Sequence, residues 1–178
     1  MHAEIQTADQ LLRAQDAGRC ELIRGEFRAL NPASYEHGRV AMKLGFLLTQ
    51  FVLADSLGTV TAAETGFWIA RNPDTVRAPD VAFVRASRGT GPSRGFYEGP
   101  PDLAVEVRSP DDRAGYVREK TAEWLESGVV VVWNVDPIAR TVAVHERDAA
   151  PVLLSELDTL VCSKLLPGFE VPVAEIFA

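Results

Sequence analysis

Residues 101–110 read PDLAVEVRSP, and the run Leu103-Ala104-Val105-Glu106-Val107 inside them decides the fold class. It is short, mostly apolar and flanked by prolines, which predicts a strand and not a helix. Side chains alternate along a strand, so Leu103, Val105 and Val107 share one face while Ala104 and Glu106 share the other. A strand apolar on both faces belongs in a sheet interior with both sides covered. Glu106 is the anomaly, because an ionised carboxylate there is costly unless it is paired or bound to a metal. A buried arginine partner, or a strand end that reaches water, would explain a lone glutamate equally well.

Working outward, residues 79–84 (PDVAFV) and 128–135 (GVVVVWNV) are two more strand-length apolar runs. Between the second and third strands, residues 113–127 have helical spacing and end at Gly128. Residues 7–17 predict a short amphipathic helix with Thr7 as cap and Gln10 at the capping-box position. CELIRGEFRAL predicts two short strands around Gly25. Residues 34–55 predict the longest helix, with Val40, Leu44, Leu47, Leu48, Phe51 and Val52 on one stripe. TVTAAETGFWIA reads as strand, bend and strand, and Asn72-Pro73-Asp74 as a turn. Residues 86–101 read as a mobile loop. TVAVHE is a further strand after the Asp136-Pro137 turn, and the tail predicts a loop and a last short helix. No repeat, low-complexity tract or linker interrupts the chain. The expectation is one domain over residues 1–178, of α/β (α+β) class: a mixed β-sheet flanked by helices.

The 178 residues are 47% hydrophobic and 24% charged, enough apolar material for one substantial core and too much for a mainly disordered chain. Cys20 and Cys162 are too few for a disulfide framework and are expected to be free thiols. The N-terminus has no cationic start followed by an apolar run, and no apolar stretch reaches bilayer length, so no membrane association and a cytoplasmic location are expected. The net charge of −7 opposes nonspecific binding of a polyanion. Residues 71–120, however, hold nine Lys/Arg against eight Asp/Glu, while the other 128 residues hold nine against seventeen. Either this unevenness is ordinary fluctuation, or the middle segment is the only place where a polyanion could be received.

Chemistry gathers in that segment. Asp80 opens the strand next to the proline, and Glu106 lies inside its expected neighbour. Two adjacent strands that each present a carboxylate make a pocket for a hard cation such as Mg²⁺ or Mn²⁺. The Val107 backbone carbonyl could add a ligand. On the 113–127 helix, Lys120 shares a stripe with Tyr116, Val117 and Trp124, whereas Glu119, Glu123 and Glu126 lie away from it. An inward lysine either snorkels along apolar surface or sets an ammonium beside the two acids.

These residues, taken in order, resemble the Uma-two family, a large group of bacterial endonuclease-like proteins with the PD-(D/E)XK restriction-endonuclease-like fold. The resemblance rests on Pro79-Asp80, Leu103 to Pro110, Glu119-Lys120, Gly128-Val129 and Trp133-Asn134-Val135-Asp136-Pro137. It also rests on Glu21-Leu22-Ile23-Arg24-Gly25-Glu26, on His37 early in a long helix, and on Leu166-Pro167-Gly168-Phe169 running to Ile176-Phe177. It spans residues 5–178. It implies a DNA endonuclease that uses Mg²⁺ or Mn²⁺, with Asp80 and Glu106 as metal-binding acids and Lys120 as the catalytic lysine. In the superfamily pattern that lysine stands two residues after the second acid, where this chain has Arg108. Arginine stays protonated and cannot serve as a base, though it can bind phosphate. GVVVVW replaces an expected Glu-Tyr before the tryptophan, and Trp124 replaces a tyrosine.

Several flanking residues are candidates of lower weight. Glu21 or Glu26 could be a further metal ligand, or a solvated hairpin charge. Glu64 at a strand end could stand near the site. His37 shares a face with Val40, Ala41 and Leu44, and either borders the site or is a satisfied interior histidine. Arg85, Arg88 and Arg94 could clamp a phosphate backbone or simply solubilise a loop. His145 looks structural, and His2 looks frayed. A homodimer is expected, since cutting both strands of a duplex suits two-fold symmetry. Three rivals stand: an inactive nucleic-acid-binding or regulatory module, a hydrolase of small phosphate esters, and an interaction protein whose charges are internal ion pairs.

Overall fold

The computed structural model describes residues 5–14, 18–89, 91 and 94–178. His2 and the last part of the predicted 7–17 helix lie outside them. In chain order the elements are α1 (Ala8–Arg13), β1 (Cys20–Ile23), β2 (Glu26–Ala29), α2 (Tyr35–Ala54), β3 (Gly58–Ala62), β4 (Phe67–Ala70), β5 (Thr75–Arg77) and β6 (Val81–Arg85). They continue with β7 (Tyr97–Glu98), β8 (Leu103–Val107), α3 (Ala114–Ser127), β9 (Val131–Asp136), β10 (Thr141–Glu146), β11 (Val152–Leu154), β12 (Thr159–Cys162), β13 (Leu166–Pro172) and α4 (Val173–Ile176).

A six-stranded mixed sheet runs in the order β11-β10-β9-β8-β6-β3. The three apolar runs of the sequence are its centre. β8 pairs antiparallel with β6 and parallel with β9, and α3 is the crossover that joins β8 to β9. Alternation gives each face its own core. Leu103, Val105 and Val107 lie on the side of Val81, Phe83, Trp133 and the α2 stripe; Ala104 lies with Ala82, Val132 and Trp124 of α3. Each fully buried Val or Leu contributes about 1.5–3 kcal/mol.

A second, five-stranded sheet has the order β2-β1-β5-β4-β7. The predicted hairpin around Gly25 is there, in the register Leu22↔Phe27. The strand β5 (TVR) was not expected from the sequence; it is too short to show a period. The strand–bend–strand reading of 59–70 holds, and β3 and β4 enter different sheets. The 86–101 segment also differs from an unbroken loop, since Ala86–Arg88 form a 3-10 turn and Tyr97–Glu98 pair with β4.

α2 is capped by Ser34, whose Oγ accepts from the His37 N–H at 3.2 Å, and this sets His37 in its first turn. α1 keeps the expected Thr7–Gln10 capping box but ends at Arg13. Cys20 and Cys162 are free. No helix among the described residues is long and apolar enough to cross a membrane.

Candidate functional site

Asp80 immediately precedes β6, and Glu106 is the next-to-last residue of β8. Because β6 and β8 are antiparallel, with Val81 opposite Val105, both acids fall at one end of the sheet. α3 leaves that end and crosses the Glu106 face. Residues 120 and 124 are neighbours on a helix surface, and both reach Glu106. Lys120 Nζ donates to Oε2 at 2.8 Å, and Trp124 Nε1 donates to Oε1 at 2.8 Å. Burial pushes the Glu106 carboxyl up to about 7; Lys120 works against this, while the charges of Asp80 and Glu21 reinforce it. Burial alone would lower Lys120, yet Glu106 and Glu21 outweigh it and hold the amine protonated well above its usual range. The predicted inward lysine is therefore an ammonium between acids.

Asp80 is held on every side. Its Oδ2 accepts from the Val107 N–H at 2.8 Å and lies 3.1 Å from His37 Nε2; its Oδ1 accepts from Arg19 at 3.1 Å. Burial opposes ionisation, but the hydrogen bond and charge of His37, the Val107 N–H and Lys120 together hold this carboxyl below the usual range. N–H and C=O of one strand residue point to the same side. The Val107 carbonyl therefore points toward the Asp80 side of β8, past the end of β6.

Glu21 on β1 comes in from the second sheet and is 1% exposed. Its Oε2 accepts from Arg77 at 2.7 Å, and its Oε1 accepts from the Ala78 N–H at 3.1 Å and stands 3.4 Å from Lys120 Nζ. Arg77, itself buried, donates through Nε to Glu123 at 2.6 Å. Burial resists the charge on Glu21, but Lys120, Arg77 and the Ala78 N–H hold it below its ordinary value. Glu21 is thus no solvated hairpin charge. Glu123, expected to lie away from the working stripe, points inward to fix Arg77.

The other candidates divide. His37 borders the site, in contact with Asp80. Glu26 is exposed and paired with Arg28, away from the cluster. Glu64 is exposed, in the β3–β4 connection, and lines the groove that also reaches Asp80. Arg108 donates to Asp136 at 2.6 Å. Arg85 and Arg88 both pair with buried Asp102. They stand at the far end of β6 from Asp80, about 16 Å along the strand at roughly 3.3 Å per residue. Arg94 follows in the same stretch, beside Arg88, Phe96 and Tyr97. The clamp expected of these three arginines is therefore not at the acids.

Four participants went unnoticed in the sequence: Arg19, Arg77, Trp124 as a donor, and Asn134. Asn134 pairs in register with Glu106 and donates to Thr121 Oγ1 at 2.8 Å. A polar residue in VVWNV is the same signal that exposed Glu106. His145 lies 3.1 Å from Asn134 Nδ2 and has a structural place. Asp80, Glu106, Val107, Arg108, Lys120, Asn134, His37 and Arg19 surround one cavity of about 530 Å³.

The fold is shared with a solved structure. The chain resembles the crystal structure of a "putative nuclease" from Anabaena variabilis, with a TM-score of 0.81 over 96% of this chain and 97% of that one, at 18% identity. At that identity the likeness is one of fold. Among curated proteins nothing matches. The family model described as "Putative restriction endonuclease" matches residues 6–174, and by that match the protein belongs to the Uma2 family.

Proposed function

We propose that this protein is an endonuclease that hydrolyses DNA phosphodiester bonds with the help of Mg²⁺ or Mn²⁺. The observation that carries this is the meeting of Asp80, Glu106 and Lys120 around one cavity, with a third acid, Glu21, behind the lysine.

The donor set fits a hard cation. Among the described residues no three Asp, Glu, His or Cys side chains are grouped so as to hold a metal by themselves. Two carboxylates with a backbone carbonyl is what Mg²⁺ commonly takes, the remaining positions going to water and substrate oxygens. Burial, reinforced by the charges of Asp80 and Glu21, leaves Glu106 protonated up to about pH 7, a cost that a divalent cation would relieve. Asp80, Glu106 and the Val107 carbonyl are the groups that would hold it. When bound it supplies Lewis acidity, making a water more acidic and offsetting charge on the phosphate.

The residues of the chain do the rest. His37, Arg19 and the Val107 N–H hold Asp80 ionised and fixed in direction. Trp124 fixes Glu106. Lys120, protonated, is no base; it offers N–H donors to the attacking water and to the phosphoryl oxygens as negative charge grows on them. Glu21, clamped by Arg77, holds the ammonium in place. In the reaction a water oxygen bonds to phosphorus, one P–O ester bond breaks, and the leaving oxygen takes up a proton. A two-fold homodimer, the commonest assembly of soluble proteins, is part of this reading.

Nicking of supercoiled plasmid in Mg²⁺ or Mn²⁺ tests the assignment. Wild type is expected to nick, and Asp80→Ala and Lys120→Met to lose activity. Equal activity in wild type and Asp80→Ala would sink it. Sedimentation at micromolar concentration checks the dimer.

A further inference from the structure

Beside the catalytic cavity lies a groove of about 810 Å³ that shares Arg19, Leu30, Pro32, His37 and Asp80 with it. One wall is the face of α2 that carries Gly38, Met42, Gly45 and Phe46; the other is the end of β3. The missing side chains of two glycines open it. A Cβ at Gly38 would meet nothing within 4 Å, and one at Gly45 would meet only Val81 Cγ2 at 3.7 Å. Glycine inside a helix weakens it relative to alanine, so helix stability gives no reason for these two. Met42 and Phe46, one turn apart, are 70% and 54% exposed, large apolar groups left in water at the groove's edge.

We propose that this groove receives one unpaired base of the strand being cut, stacked on Phe46 and Met42, while the adjoining phosphate lies at Asp80 and Glu106. The proposal rests on the nuclease assignment and names its substrate class: single-stranded or locally unpaired DNA.

Two observations favour a base. The first concerns charge. A duplex is gripped by free Lys and Arg, but the cations lining the two cavities, Arg19, Arg108 and Lys120, each pair with an acid. The protein also carries a net charge of −7. Affinity for a strand must come from elsewhere, and an apolar wall with an exposed aromatic ring is what a nucleobase stacks on. The second concerns access. The groove shares Asp80 and His37 with the catalytic cavity. Asp80 lines both, so a base seated in the groove leads its own phosphate to that aspartate.

The test is anisotropy of a short labelled oligothymidylate with the whole protein in EDTA, so that binding is read without cleavage. Wild type is expected to bind the single strand at least about tenfold more tightly than the same sequence in a duplex. Phe46→Ala should weaken strand binding about tenfold and Phe46→Trp should retain it, as stacking requires. Gly38→Trp, which fills the groove from an exposed position, should lose binding too, with thermal melts checking that each variant folds. Unchanged binding by Phe46→Ala, or preference for intact duplex, overturns the proposal. So does a change from dimer to monomer in Phe46→Ala on sedimentation, which would give the groove to a second copy. If the binding results hold while wild type nicks no plasmid in Mn²⁺, the groove stands and the nuclease assignment falls.

Discussion

Four ionisable side chains, Arg77, Glu21, Lys120 and Glu106, are stitched in that order into one buried chain of charge, and each depends on the next. Removing one partner of such a group leaves the other charged and unsolvated. Arg77→Ala is therefore expected to destabilise the protein by about 3–5 kcal/mol in urea unfolding, because Glu21 keeps its burial and loses its main partner. Glu21→Gln is expected to act differently. It keeps the shape but lets Lys120 lean on Glu106 alone. Catalytic turnover should fall while calorimetric Mn²⁺ affinity stays close to wild type, since Glu21 faces the ammonium and not the Asp80 side of the cavity. A loss of Mn²⁺ binding in Glu21→Gln would make Glu21 a metal ligand instead.

At the level of elements, two glycines at opposite ends of α2 have opposite meanings. Gly58 opens β3, and a Cβ there would sit 2.1 Å from the Val84 carbonyl oxygen of β6 and 2.8 Å from Phe83. The backbone would have to shift, so Gly58→Ala should lower the melting temperature by an amount matching about 1–3 kcal/mol. Gly38, in the first turns of α2, has open space where a Cβ would go. Gly38→Ala should stabilise by up to about 1 kcal/mol. If both substitutions lowered the melting temperature alike, the packing around these two glycines would differ from that described.

On the scale of the whole molecule, the site sets how stability varies with pH. Folded Glu106 holds its proton to about pH 7, against an ordinary value of 4.5. Between those values the folded protein carries a proton that the unfolded chain has lost. Unfolding releases it, and stability falls as pH rises, by up to about 3 kcal/mol at 1.36 kcal/mol per unit. Asp80 and Glu21 act with the opposite sign: both are held below their ordinary values of 3.8 and 4.5, so their contribution is present above those values and lost as pH falls through the lowered ones. Thermal melts in EDTA should therefore show a decline from pH 5 to 8 that Glu106→Gln flattens. Added Mn²⁺ should raise the melting temperature most at the alkaline end, where no proton competes for Glu106. A flat profile for wild type in EDTA would mean that Glu106 is not buried as described.

The sequence alone was enough to single out Glu106 and Lys120, because each breaks a local rule; Asp80, ordinary by itself at a strand start, gained weight only beside Glu106, and the roles of all three belong to the proposed function. An acid inside an apolar strand, an acid at a strand start and a lysine on an apolar helix stripe are all legible from periods of two and 3.6 residues. The central strands and the two long helices follow from the same periods. Periodicity says which way a side chain faces, never what faces it. That Glu21 of one sheet meets Lys120 of the other layer, that Arg19 and His37 converge on Asp80, and that Arg85 and Arg88 turn to Asp102 are long-range pairings. So is the parting of β3 and β4 into two sheets. Only packing decided them, since which elements lie together depends on the burial of the whole chain and not on any segment of it.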